Sequence, residues 1–223
     1  MPKRYILLIK NEIYHIYNRG VAKQPIFLDK RDYEKFILTL TYYRYAKLPL
    51  KLSRFLQLAH KDRDNIMTKL NNENKKLVEV LCYTLMPNHF HLILKQLEDD
   101  GISKYMRLIL NSWTHHFNKR HVRVGSLFQG VFKAVRIEDD EQLIHLSRYI
   151  HINPVVSYLV KENDLLFYPW SSINDYQKGN SVLVEISTIL GHFSSFEKYK
   201  KFLFDQIDYA KEINRIKHLR LET

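Results

Sequence analysis

The stretch CYTLMPNHFHLIL, Cys82 to Leu94, places His89 and His91 one residue apart inside an apolar run. Successive side chains of a strand point to opposite faces, so both imidazoles share a face with Ile93 while Phe90, Leu92 and Leu94 fill the other. Eleven histidines over 223 positions give about half of one His-x-His by chance, so the spacing alone is weak. The plain reading is two hydrogen-bonded histidines on a half-buried strand. The sharper one rests on the apolar second face, which serves a core without help from the imidazoles. Two neutral imidazoles about 7 Å apart along a strand can converge on one divalent cation. Two ligands are too few, and a third polar group must come from elsewhere.

A candidate source is SRYIHINPV. Tyr149 and Asn153 are four residues apart, neighbours on one helical face if the helix persists that far. Pro154 pushes the residue before it away from helical geometry, which puts Asn153 in the last turn or just beyond it. Taken singly, Tyr149 reads as one of 15 core or surface tyrosines and Asn153 as a helix C-cap. Only the joint pattern makes a functional reading competitive.

The elements that must position these residues follow from periodicity. Tyr5 to Tyr17 is rich in Ile, Leu and Tyr and ends at the turn signal NRG, which predicts a strand. In FLDKRDYEKFILTLTYYRYAK, Asp29 is the expected N-cap, and Tyr33, Phe36, Ile37 and Leu40 recur at helical spacing. Residues 48–76 turn polar and basic and read as an insertion with one or two helices. Leu77 to Met86 and His89 to Lys95 are expected strands joined at Pro87-Asn88 as a hairpin. ISKYMRLILNSWTHHFNKRH carries a stripe of Tyr105, Leu108, Ile109 and Trp113, a long helix. SLFQGVFKAVRI reads as a strand. DDEQLIHLSRYIHIN is a helix with acidic residues at its N-terminus, ended or kinked by Pro154.

The resulting order, β-α-β-β-α-β and a further helix, is the ferredoxin-like arrangement, an α+β fold with an antiparallel sheet and two helices on one face. The expected division is a main domain at 1–160, with the insertion at 48–76, and a mostly helical extension at 161–223.

Thirty-five Lys and Arg against 24 Asp and Glu leave a net charge of +11, which points to a polyanionic partner, nucleic acid first. The single cysteine, Cys82, excludes an internal disulfide framework and a Cys-rich zinc site, and reads as buried core. The basic start of MPKRYILLIKNEIYHIY is interrupted by Lys10, Asn11 and Glu12 too early for a signal peptide, and no window approaches a membrane span. A cytoplasmic protein without a membrane partner is expected.

YHIYNRG with PIFLDKRDYEKF, then CYTLMPNHFHLIL, GSLFQGVFK, LSRYIHINPV and YPWSS resemble, in order, the REP-associated tyrosine transposase branch of the single-tyrosine HUH transposases. The likeness spans roughly Tyr14 to Tyr176, and MPNHFHLIL with RYIHINPV is its most specific part. It implies a ferredoxin-like nuclease that cuts and rejoins single-stranded DNA at hairpin-containing sites through a 5′-phosphotyrosine. It implies that His89 and His91 hold Mg²⁺ or Mn²⁺, that Tyr149 is the nucleophile and that Asn153 stands at the third ligand position. Relatives outside the branch usually carry Gln there.

Basic and polar groups expected near a bound strand are Asn18, Arg19, Lys119, Arg120, Arg123, Lys133, Arg136 and Arg148, each weighed against a solvated basic face. The partner implied is single-stranded or hairpin DNA, with the protein as monomer or homodimer. A rival is a nucleic-acid-binding protein on the same fold that no longer cuts, and a weaker one is a metal-dependent hydrolase using water. The joint presence of His89, His91, Tyr149 and Asn153 favours the enzyme.

Overall fold

The computed structural model describes residues 7–219. Its sheet consists of β1 (Ile13–Arg19), β2 (Val78–Met86), β3 (His89–Gln96) and β4 (Lys133–Ile137) in the order β2-β3-β1-β4, all neighbours antiparallel. With α1 (Lys30–Tyr43) between β1 and β2, and α4 (Gly101–Arg120) between β3 and β4, this is the expected ferredoxin-like order. Residues 48–76 hold α2 (Leu52–Phe55) and α3 (His60–Glu73). Beyond β4 come α5 (Asp140–Val156), α6 (Ile173–Lys178), α7 (Ser187–Leu190), α8 (Phe196–Phe204) and α9 (Ile207–Leu219).

The two faces of the sheet divide the labour. Tyr14, Ile16, Phe90, Leu92 and Leu94 are fully buried and share one face. There α1 and α4 pack, with Phe36 against Phe90 and edge-on to Trp113. The polar ends of buried aromatics find partners: Tyr105 donates to the Leu40 carbonyl at 3.0 Å and Trp113 to that of Ile26 at 3.1 Å. The other face carries His15, Tyr17 and Arg19 from β1, His89 and His91 from β3, and Lys133 from β4. Along β1 this face is only half-buried or exposed while the alternate residues are buried.

Two strand boundaries differ from expectation. β1 begins at Ile13, not Tyr5, because Lys10 and Asn11 make a turn in which Asn11 takes a left-handed φ of 68°. Tyr5 itself lies outside the described residues. The SLFQGVFKAVRI segment runs beside β1 but pairs as a ladder only from Lys133. Its first half bonds irregularly, Val21 N–H to the Leu127 carbonyl and Gln129 N–H to that of Arg19, before Gly130 turns the chain at φ 76°. The NRG glycine has a different reason. A Cβ on Gly20 would lie 2.1 Å from the Gln24 carbonyl oxygen, so the close return of the chain requires glycine.

Asp29 caps α1 as expected, its side chain accepting from the Asp32 N–H at 3.1 Å. Asp139 does the same for α5 through the Gln142 N–H at 2.7 Å. Pro154 lies inside α5, which continues to Val156. Its missing N–H forfeits one bond in the last turn, and the Ser157 N–H to the Asn153 carbonyl at 2.9 Å closes the end. Residues beyond 160 pack into the same hydrophobic core as the sheet, through Leu165, Ile173, Tyr176, Tyr199 and Leu203 among others.

Candidate functional site

The site grows from the strand pairing. Register places Tyr17 opposite His91 and Arg19 opposite His89, while Thr84 and Met86 flank the histidines from β2. His91 is 7% exposed and its Nδ1 lies 2.9 Å from His15 Nε2. The two rings are stacked, centroids 5.1 Å apart, and Tyr17 stacks on both. His89 stands edge-on to His91 at 5.1 Å.

The tautomer of His89 follows from its neighbour. Asn88 donates its amide N–H to the Lys23 carbonyl at 3.1 Å, which turns its carbonyl oxygen toward His89. His89 Nδ1–H donates to that oxygen at 2.6 Å, leaving the lone pair on Nε2. Burial lowers the pKa of His89 to about 4, helped by the charge of Arg19, and burial alone brings His15 to about 4. His91 is held well below its usual range by burial, with smaller effects from His89, His15 and Arg19. All three are neutral at neutral pH, the form in which an imidazole can ligate a cation.

α5 brings the tyrosine. Tyr149 is 46% exposed and stands edge-on to His91 at 5.6 Å. Burial raises its pKa, while a hydrogen bond with the Asn153 side chain and the charge of Arg19 pull it back. Asn153 is therefore a helical neighbour of Tyr149, one turn on, and not the C-cap, a position taken by Ser157. Its Oδ1 also accepts from the Ser157 hydroxyl at 3.3 Å. The other side of α5 is clamped. Buried His151 lies 2.7 Å from the Tyr199 hydroxyl through Nδ1, 2.7 Å from Ser172 Oγ through Nε2 and 3.3 Å from Cys82 Sγ. Tyr199 in turn meets Ser147 at 3.0 Å. Cys82 is fully buried, with its thiol pKa pushed up by burial, a structural role.

Of the groups expected near nucleic acid, Arg19 and Lys133 share the face of the histidines and are exposed, the Lys133 ammonium lying 5.9 Å from the centre of the Tyr17 ring. Lys119 is exposed at the end of α4. The others are engaged within the protein. Asn18 points to the opposite face, 5% exposed, and donates to the Gly130 carbonyl at 3.3 Å. Arg120 bridges Asp29 and the fully buried Asp32, with His121 also on Asp32 at 3.0 Å. Arg123 holds Asn118 at 2.9 Å and the Ser126 carbonyl at 3.1 Å. Arg136 lies on the opposite face, paired with Glu12 at 3.0 Å. Arg148 lies over the Phe202 ring at 4.0 Å and donates to the Phe202 carbonyl.

His15 and Asn88 are the site residues that motif reasoning passed over. The signal for His15 was present in IYHIYNR, whose alternate residues Ile13, His15, Tyr17 and Arg19 form one face.

Residues 54–153, which include His89, His91, Tyr149 and Asn153, match the family model of IS200-like transposases. The chain is also similar to a solved structure described as a REP-associated tyrosine transposase bound to a REP hairpin. That likeness has a TM-score of 0.55 and 18% identity, covering 83% of this chain and 92% of the other, and it shows a shared fold. Both findings agree with the motif resemblance. No curated protein matches the chain. Among the described residues no helix is long and apolar enough to cross a membrane.

Proposed function

We propose that the protein cleaves and rejoins single-stranded DNA at hairpin-containing sites, using Tyr149 as nucleophile. The observation that carries this reading is the contact of Tyr149 with His91 on one side and Asn153 on the other, within a segment of the IS200-like family. The REP hairpin in the related structure supports a hairpin substrate.

The donor set fits a divalent cation. His89 presents a free Nε2, His91 has its Nδ1 engaged by His15 and its Nε2 turned away from that bond, and Asn153 offers an amide oxygen. Among the described residues no group of three or more His, Cys, Asp or Glu forms a metal cluster, and the Asn153 amide oxygen would add a third protein donor to the two histidines. Mg²⁺ or Mn²⁺ held by His89, His91 and Asn153 would polarise the scissile phosphate and offset charge building on its oxygens.

The rest falls to the chain. The Tyr149 phenol oxygen attacks phosphorus, forming a 5′-phosphotyrosine as the bond to the 3′ oxygen breaks. The phenol proton leaves Tyr149, and the departing oxygen ends as a 3′-OH. Asn153 and Arg19 favour the phenolate against the burial that opposes it. Because the phosphotyrosyl ester replaces one ester by another, a 3′-OH can reverse the step and join strands without a nucleotide cofactor. Arg19 and Lys133 flank the histidines and would meet the backbone, and Tyr17 offers a half-buried ring for a base.

The test is covalent trapping. Labelled hairpin DNAs from around the gene are incubated with Mn²⁺ or EDTA and run on a denaturing gel beside Tyr149→Phe. The expected result is a cation-dependent adduct absent from the variant. Cleavage without adduct, unaffected by Tyr149→Phe, would establish a water-using nuclease instead. Binding with no cleavage of any hairpin would establish the passive binder.

A further inference from the structure

His15 lies outside the donor set proposed above, yet it makes the shortest polar contact to His91, Nε2 to Nδ1 at 2.9 Å. In a bond between two imidazole nitrogens one ring donates its N–H and the other accepts through its lone pair. The two arrangements have opposite consequences. If His15 donates, the proton of His91 sits on Nε2 and that nitrogen is closed to a cation. If His15 accepts, His91 is protonated on Nδ1 and Nε2 presents its lone pair.

The neighbouring histidine shows which arrangement the site is built for. At His89 the Nδ1–H is taken up by the Asn88 carbonyl oxygen, itself oriented by the bond from Asn88 to the Lys23 carbonyl. Two histidines on one strand face thus each have Nδ1 engaged by an outer residue and Nε2 left free. An acceptor behind a ligating imidazole fixes ring rotation, selects the tautomer and increases the basicity of the ligating nitrogen. Stacking on Tyr17, at 4.9 Å between centroids, holds the His15 ring parallel to that of His91 at an interplanar angle of 19°.

We infer that His15 is a positioning residue for the cation site, accepting the Nδ1–H of His91 as Asn88 accepts that of His89, so that both ligating imidazoles present Nε2. The inference rests on the cation reading of His89 and His91. It also gives functions to two motif positions that the transposase chemistry left unused, the histidine of YHIYNRG and the asparagine of MPNHFH.

The test combines ring NMR with binding. Two-bond proton–nitrogen correlations on ¹⁵N-histidine protein loaded with Mg²⁺ report directly where His91 carries its proton. Mn²⁺ affinity, measured by calorimetry without DNA, is compared among the unmodified chain, His15→Phe and His15→Gln. The expected results are a proton on His91 Nδ1, a Mn²⁺ affinity about 10- to 100-fold weaker in His15→Phe, and recovery in His15→Gln, whose amide oxygen can accept the same bond. A proton on His91 Nε2 with Mg²⁺ bound overturns the inference, as does a folded His15→Phe that binds Mn²⁺ like the unmodified chain. The NMR arm uses the unmodified chain and decides the matter even if His15→Phe does not fold. An unmodified chain that binds neither cation overturns the cation reading and the inference together, an outcome distinct from the other two.

Discussion

His151 makes the tyrosine helix sensitive to acid. It sits two residues from Tyr149 and two from Asn153, fully buried, between the hydroxyls of Tyr199 and Ser172. Burial lowers its pKa from 6.5 to about 3. In the unfolded chain the imidazole takes up a proton below 6.5, while in the folded protein it does not until near 3. The unfolded state thus binds more protons in that window, so stability is fully present above 6.5 and is lost as pH falls toward 3. Between about pH 7 and about pH 5 the loss from this residue is about 2 kcal/mol. His15 and His89, each lowered to about 4, act with the same sign, so the total slope does not isolate His151.

The variant His151→Gln does. Glutamine keeps an amide to bond the two hydroxyls but has nothing to titrate. Urea unfolding of both proteins at the two pH values gives the difference of differences. The expected outcome is that the unmodified chain loses about 2 kcal/mol more than His151→Gln on acidification. Equal losses would mean that His151 already titrates near its ordinary value in the fold and that the buried clamp on α5 is wrong.

Other consequences follow from the placement of charge. Lys133→Ala and Arg19→Ala should each weaken hairpin binding and reduce the slope of log K against log salt by about 1, read by fluorescence anisotropy across a salt series, whereas Arg136→Ala, tied to Glu12, should leave the slope unchanged. Arg120→Ala should lower the thermal midpoint, because buried Asp32 loses its guanidinium partner. An unchanged midpoint with lost DNA affinity would instead place Arg120 in the interface. Asn153→Ala removes the hydrogen bond that lowers the Tyr149 pKa, so the pH profile of adduct formation should move to higher pH, and an unmoved profile would remove Asn153 from that role.

The fold was legible where local signals agreed. Asp29 and the Tyr33, Phe36, Leu40 stripe defined α1, and the alternation in HFHLIL assigned both faces of β3 before any partner strand was known. The Tyr149–Asn153 spacing survived because a proline in the last turn removes only one bond. What escaped depends on pairing between distant segments. His15 meets His91 only through the β1–β3 register, and Arg120 meets Asp32 only because α1 and α4 lie side by side. Nothing in NKRHVR marks Arg120 as paired, nor in KAVRI that Arg136 faces away from the histidines. The start of β4 at Lys133, after the turn at Gly130, was hidden by an apolar sequence, GVFKAV, that continues the strand pattern across the turn.

The most direct test of the account is tandem mass spectrometry of the trapped protein–DNA adduct after nuclease digestion. The account expects one peptide, containing RYIHINPV, that carries a nucleotide through its 5′-phosphate on Tyr149, with a free 3′-OH on the released strand. A nucleotide on another residue, or a 3′-phosphate linkage, would contradict it.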